Sequence, residues 1–151
     1  MTPGSVMDAD DPSGNSRWTV AYRMAGLCLA IAFAVVGMIF LLLPADVIVF
    51  FNGFSLPVAF EPLSAEGAGF YLVLAVAYMY VVTLLAWFMY RVPGNRLAPV
   101  LLVNAKLASS LLSVLFFFAV HGALIFLVNG IVDGLIGGGV LTLYLKQRRG
   151  A

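Results

Sequence analysis

The chain has 151 residues, a formal net charge of +1, 63% hydrophobic and only 10% charged residues, and a mean hydropathy of +1.06. These values exclude a soluble globular domain and a disordered chain. A single cysteine excludes an internal disulfide framework, and the near-neutral charge leaves no electrostatic footprint for nucleic acid. What remains is an integral membrane protein with the lipid bilayer as its first partner.

In chain order, residues 1–16 carry Pro3, Gly4, Asp8, Asp10, Asp11, Pro12 and Gly14 and are expected to form a flexible tail. A bilayer core of roughly 30 Å needs about 20 mostly apolar residues per helix. Four stretches satisfy this, at 21–43, 68–90, 97–120 and 123–145. Pro44 stops the first span, Gly67 and Gly69 open the second, and Pro93-Gly94 closes it. Pro99 falls in the first turn of the third, where a missing N–H costs little. His121-Gly122 separates the last two spans so briefly that they must form an antiparallel hairpin. The first span is longer than a typical signal-peptide core, and Leu43-Pro44-Ala45-Asp46 lacks a small-x-small cleavage pattern, so it is expected to be an uncleaved anchor.

The fold class that follows is all-α: an up-down antiparallel bundle of four transmembrane helices with both termini on one side. Arg17, Arg23, Arg91, Arg96, Lys146, Arg148 and Arg149 all flank that side, whereas Asp46, Glu61 and Glu66 lie opposite. Positive charge is retained on the cytoplasmic side, so the chain is expected in the cell (inner) membrane with cytoplasmic termini. Trp18, Tyr22, Trp87, Tyr90 and Tyr144 fall at the same ends, as in an aromatic belt at headgroup depth.

The loop from Pro44 to Glu66 is the largest piece outside the spans. Asp46 can cap a short interfacial helix through Val47, Ile48, Val49, Phe50 and Phe51, with Asn52-Gly53 as a left-handed stop. Phe54, Leu56, Val58 and Phe60 alternate with smaller or polar residues, which suits a strand-like cover over the mouth of the bundle. A loop anchored by its own phenylalanines is favoured over a lid or a partner-docking surface.

Lys106 and Asp133 are the two full charges well inside a span, and each costs about 3 kcal/mol near the bilayer centre. Counted from the turn at His121, they sit at roughly 22 and 19 Å of depth at 1.5 Å per residue. Level residues on adjacent helices can touch, so a Lys106–Asp133 ion pair is expected. Lys106, Ser110, Ser113 and Phe117 form one stripe of the third span, and Asn129, Asp133 and Gly137 one stripe of the fourth. Gly130, Gly134 and Gly138 repeat at every fourth residue, a small-x-x-x-small pattern expected to pack a different neighbouring helix. A mid-membrane polar layer would gather Lys106, Asp133, Asn104, Ser109 or Ser110, Asn129, and Tyr78 or Tyr80. Against that layer stands a purely structural role as helix glue, with Lys106 snorkelling to the headgroups.

Catalytic chemistry is thinly provided. His121 is the single histidine and Cys28 has no CxxC partner, so neither bis-histidine haem nor a zinc site can be assembled from histidine and cysteine. The chain has no GxxxxGK[ST], HExxH or GxSxG motif. Ser109 and Ser110 lie near Lys106 in sequence, yet mid-membrane serines serve helix packing far more often than acyl chemistry. No cofactor and no metal are predicted. The sequence therefore favours a non-enzymatic accessory or scaffold subunit, in a homo-oligomer or a larger membrane complex. A small transporter, channel or proton-linked carrier built on Lys106 and Asp133 stands second, and a lipid- or quinone-binding membrane enzyme third.

Overall fold

The computed structural model describes residues 12–55, 60, 62, 69–120 and 122–149. Among them there are five helices: α1 (Pro12–Leu42), α2 (Pro44–Ser55), α3 (Gly69–Arg91), α4 (Leu97–Ala119) and α5 (Leu124–Arg149). Stretches of α1, α3, α4 and α5, namely Arg17–Leu42, Tyr71–Arg91, Leu97–Ala119 and Leu124–Arg149, are long and apolar enough to cross a bilayer. The chain is thus a small multi-pass helical membrane bundle with four candidate spans; the first begins at Arg17 and the last runs on to Arg149, beyond the 21–43 and 123–145 expected. α1 begins at Pro12, so the last part of the tail expected over 1–16 is helical instead; the rest of that tail lies outside the described residues.

The first connection departs from expectation. α2 starts at Pro44, whose missing N–H is harmless in a first turn. Leu43 N–H donates to Ile39 O at 2.9 Å and Val47 N–H to Leu43 O at 3.1 Å, carrying the hydrogen-bond ladder across the proline. Asp46 lies in the first turn of α2, where the helix dipole favours a carboxylate. Asn52-Gly53 does not stop the helix: Gly53 is not in the left-handed region, and Ser55 donates its hydroxyl to Phe51 O at 2.9 Å one turn back. Phe50 packs edge-on against Phe51 and Phe54, which favours one more turn. No strand occurs among the described residues, and Phe54 belongs to α2. Leu56 and Val58 lie outside the described residues. Phe60 folds back onto the C-terminal end of α4, its ring centroid 5.5 Å from that of Phe117.

The other connections follow the sequence signals. α3 closes through Val92 N–H to Phe88 O at 2.8 Å and Asn95 N–H to Val92 O at 2.9 Å around Pro93-Gly94. Asn95 then caps α4, accepting from the N–H groups of Leu97 at 2.8 Å and Ala98 at 3.4 Å. At the far end Val120 N–H donates to Phe116 O, and the chain turns through Gly122 into α5.

α1 packs along α3 and α4 along α5; the two pairs join through narrower contacts of α3 with α4 and of α1 with α5. The core holds Tyr22, Ala30, Phe33, Val82, Ala86, Met89, Leu102, Val103, Val140 and Tyr144. In a bilayer, lipid is as apolar as these side chains, so close packing rather than escape from water holds the helices together. Small residues make that packing possible. A Cβ on Gly26 would stand 3.0 Å from both Ala86 O and Tyr90 N, backbone atoms of α3 that cannot swing aside. Where the helices end, Arg23 Nε donates to Tyr90 O at 3.2 Å, satisfying a terminal carbonyl of α3.

Gly26→Ala should therefore destabilise the purified protein by about 1–3 kcal/mol, the usual cost of overpacking. Gly138→Ala, where a Cβ meets nothing within 4 Å, should be neutral or stabilising. Thermal unfolding in detergent compares the two; equal effects would refute the close approach of α1 to α3.

Candidate functional site

The packing of α4 on α5 brings the two intramembrane charges together. Lys106 Nζ lies 2.7 Å from Asp133 Oδ1, and the two residues are 1% and 3% exposed. A separation this short is a charge-assisted hydrogen bond and not merely a proximity of charges. The ammonium is also covered from outside its own helix pair. It stands 4.5 Å from the Phe33 ring centroid of α1 and 5.1 Å from that of Tyr78 on α3. Both rings present attractive π faces to the cation, an interaction worth about 0.5–2 kcal/mol where water is excluded. Tyr78 is itself held by its hydroxyl, which donates to Ala105 O of α4 at 3.1 Å. All four spanning helices thus meet at Lys106. The lysine does not snorkel; its charge is neutralised where it stands.

Toward the Gly122 end of the hairpin a second polar group ties α4 to α5. Asn129 Nδ2 donates to Ser113 Oγ at 2.8 Å and to Ser109 Oγ at 3.3 Å. Ser110 Oγ donates to Gly130 O at 2.6 Å. These bonds, the ion pair and the Tyr78 contacts together place Lys106, Asp133, Ser110, Asn129 and Tyr78 in one interhelical layer. None of the serines joins Lys106 as a nucleophile and base, since the ammonium is engaged by Asp133 and Ser110 by a backbone carbonyl.

Two expectations fail. Asn104 does not enter the layer: it is exposed, and its Nδ2 donates to Val100 O of its own helix at 2.9 Å. It lies two residues before Lys106, on the opposite flank of α4, so depth alone misplaced it. The glycine stripe also faces the same helix as Asp133 and not a different one. A Cβ on Gly130 would stand 2.9 Å from Val114 Cγ2 and 3.3 Å from Ser110 O, one on Gly134 would stand 3.0 Å from Ser110 Oγ, and one on Gly137 3.1 Å from Leu107 Cδ2. The seam is therefore Gly130, Gly134 and Gly137, and Gly138 opens away from it. Steps of four and then three keep a straight helix on one face, whereas two steps of four drift off it.

Phe33 was not legible as a site residue, because span one carries no polar group at that depth. Its signal is the spacing Gly26, Ala30, Phe33, Gly37, which puts small residues and one ring on the face that meets α3 and the bundle interior. Of the two tyrosines of α3, Tyr78 enters the layer and Tyr80, 65% exposed, faces outward. Tyr22 is fully buried near the other end, and its hydroxyl has no hydrogen-bond partner among the described residues.

Removing one member of the pair strands a charge in a medium of low dielectric, whereas replacing both removes the problem. Lys106→Met and Asp133→Leu should each cost about 3–5 kcal/mol of stability, and the double variant should recover most of it. A thermodynamic double-mutant cycle measures the difference; additive losses would mean that the two residues do not interact.

The chain matches no protein-family model, no curated protein and no solved structure.

Proposed function

We propose that this chain is a non-enzymatic accessory or scaffold subunit of the cell membrane, working in a homo-oligomer or a larger complex, with both termini in the cytoplasm. The observation that carries the proposal is the closure of the ion pair. Lys106 and Asp133 are each the other's partner, Phe33 and Tyr78 cover the cation, and both residues are sealed from the surroundings. A solute or ion pathway needs polar groups that face an open route; here the intramembrane charges are consumed in holding four helices together. The orientation rests on the seven arginine and lysine residues that flank the same helix ends. Single cysteines introduced at Ser64 and Gly150 test it with a membrane-impermeant reagent in intact cells: Ser64→Cys should be labelled and Gly150→Cys protected, and the reverse pattern would invert the topology.

A proton-linked carrier is the second reading, favoured by one observation: an ionisable pair at mid-membrane depth is where such carriers hold their relay. Purified chain reconstituted into vesicles containing a pH-sensitive dye separates the two. Under an imposed pH gradient and membrane potential, a scaffold leaves the proton leak at the level of protein-free vesicles. A leak that rises with protein density and disappears in Asp133→Asn would replace the scaffold by the carrier.

A further inference from the structure

The geometry points to a seat for a phosphate group, that of an anionic phospholipid, where the turn between α3 and α4 meets the last turns of α5. A half-open cavity of about 310 Å³ lies there, lined by Pro93, Gly94, Arg96, Tyr144, Gln147 and Arg148. Its volume is at the low end of small-ligand sites and suits a headgroup better than a whole lipid.

The walls are built and not accidental. Gln147 Nε2 donates to Pro93 O at 3.2 Å, tying the end of α5 to the turn. Tyr144 is buried in the core and lines the cavity. The Arg148 guanidinium lies 5.7 Å from the Tyr144 ring centroid, which steers one cationic fork along the wall. Arg96, which also lines the cavity, is exposed and has no acidic partner among the described residues. Its place at the start of α4 adds the positive end of the helix dipole to its own charge.

Two arginines lining one cleft suit a phosphate, which accepts paired N–H donors from a planar guanidinium fork. The level of the cleft selects the source. Trp18 and Trp87 lie at the same helix ends, Lys146 Nζ 4.4 Å from the Trp18 ring centroid and the Arg91 guanidinium 5.8 Å from that of Trp87. Cations stacked on tryptophan mark headgroup depth, where the phosphate of a lipid is already present at high local concentration. No carboxylate stands at this end among the described residues, so nothing within them competes for the arginines.

The test uses the full chain in detergent micelles doped with dioleoylphosphatidylglycerol or dioleoylphosphatidylcholine, with bound lipid counted by native mass spectrometry. The wild-type protein should prefer phosphatidylglycerol, and the Arg96→Gln/Arg148→Gln pair should bind it about tenfold more weakly. Arg17→Gln/Arg149→Gln removes the same charge from the same end outside the cavity and should change affinity much less. Equal losses in the two pairs, or no loss in the first, would overturn the site in favour of diffuse surface charge. Inorganic phosphate added at constant ionic strength separates the sources: lipid that stays bound supports the lipid seat, and displacement of lipid by phosphate would overturn the lipid assignment. Should the double variant fail to fold, Arg96→Gln alone carries the same comparison, since its exposed side chain makes no hydrogen bond or ion pair among the described residues.

Discussion

A lysine at mid-membrane depth can be tolerated in a bilayer only if its charge is answered where it stands, and the architecture of this bundle is organised around that requirement. Asp133 supplies the countercharge from α5, Phe33 a ring from α1, and Tyr78 a second ring from α3. Each partner belongs to a different helix, so neutralising one residue specifies how all four must be arranged. Apolar packing alone would not do this, because lipid and leucine compete for the same surfaces on nearly equal terms. The ion pair is thus better understood as a device of specificity than as a source of net stability, since a well-packed apolar replacement could serve stability as well.

The glycines make the pair geometrically possible. Lys106 Nζ reaches Asp133 at 2.7 Å because Gly130, Gly134 and Gly137 let α5 lie close to α4 along the whole seam. A larger side chain at Gly137 would meet Leu107 and the Cβ of Lys106 itself, pushing apart the two helices that carry the charges. On the other side of the bundle Gly26 and Gly37 do the same for α1 and α3, and so bring Phe33 and Tyr78 over the cation. Close approach and charge neutralisation are therefore one design with two parts. The inner layer leaves the basic helix ends free for a different task, meeting lipid phosphate at the membrane surface.

Much of this was legible in the sequence, for definite physical reasons. The number of spans followed from hydrophobic length and from the breaks at Pro44, Pro93-Gly94 and Gly122, because a bilayer imposes a length and proline and glycine impose boundaries; where the first span starts and the last one stops did not, since no such residue marks those ends. The Lys106–Asp133 pairing followed from counting both residues from a common turn, which works because the rise of a helix is constant. Asn104 was misplaced because depth is only one of two coordinates, and its azimuth puts it on the outer flank. The stripe through Gly138 was misassigned because a period of four overshoots the true helical repeat, which makes Gly137 the third member. The Asn52-Gly53 stop failed because the phenylalanines of α2 and the Ser55 hydroxyl favour another turn. Phe33 and the basic cleft could not be read in advance, since each depends on which residues distant in sequence meet in space.

The central claim, that Lys106 is neutralised by direct contact with Asp133 within the membrane, can be measured in lipid without any functional assay. The chain contains only two lysines, Lys106 and Lys146, so a sample labelled with ¹⁵Nζ-lysine and ¹³Cγ-aspartate gives two resolvable amine signals by solid-state NMR in bilayers. Dipolar recoupling should show strong dephasing of the Lys106 signal by a carboxylate carbon within contact distance, and Asp133→Asn, which leaves position 133 unlabelled, should abolish it. A Lys106 signal that shows no dephasing in the unmodified protein would contradict the account.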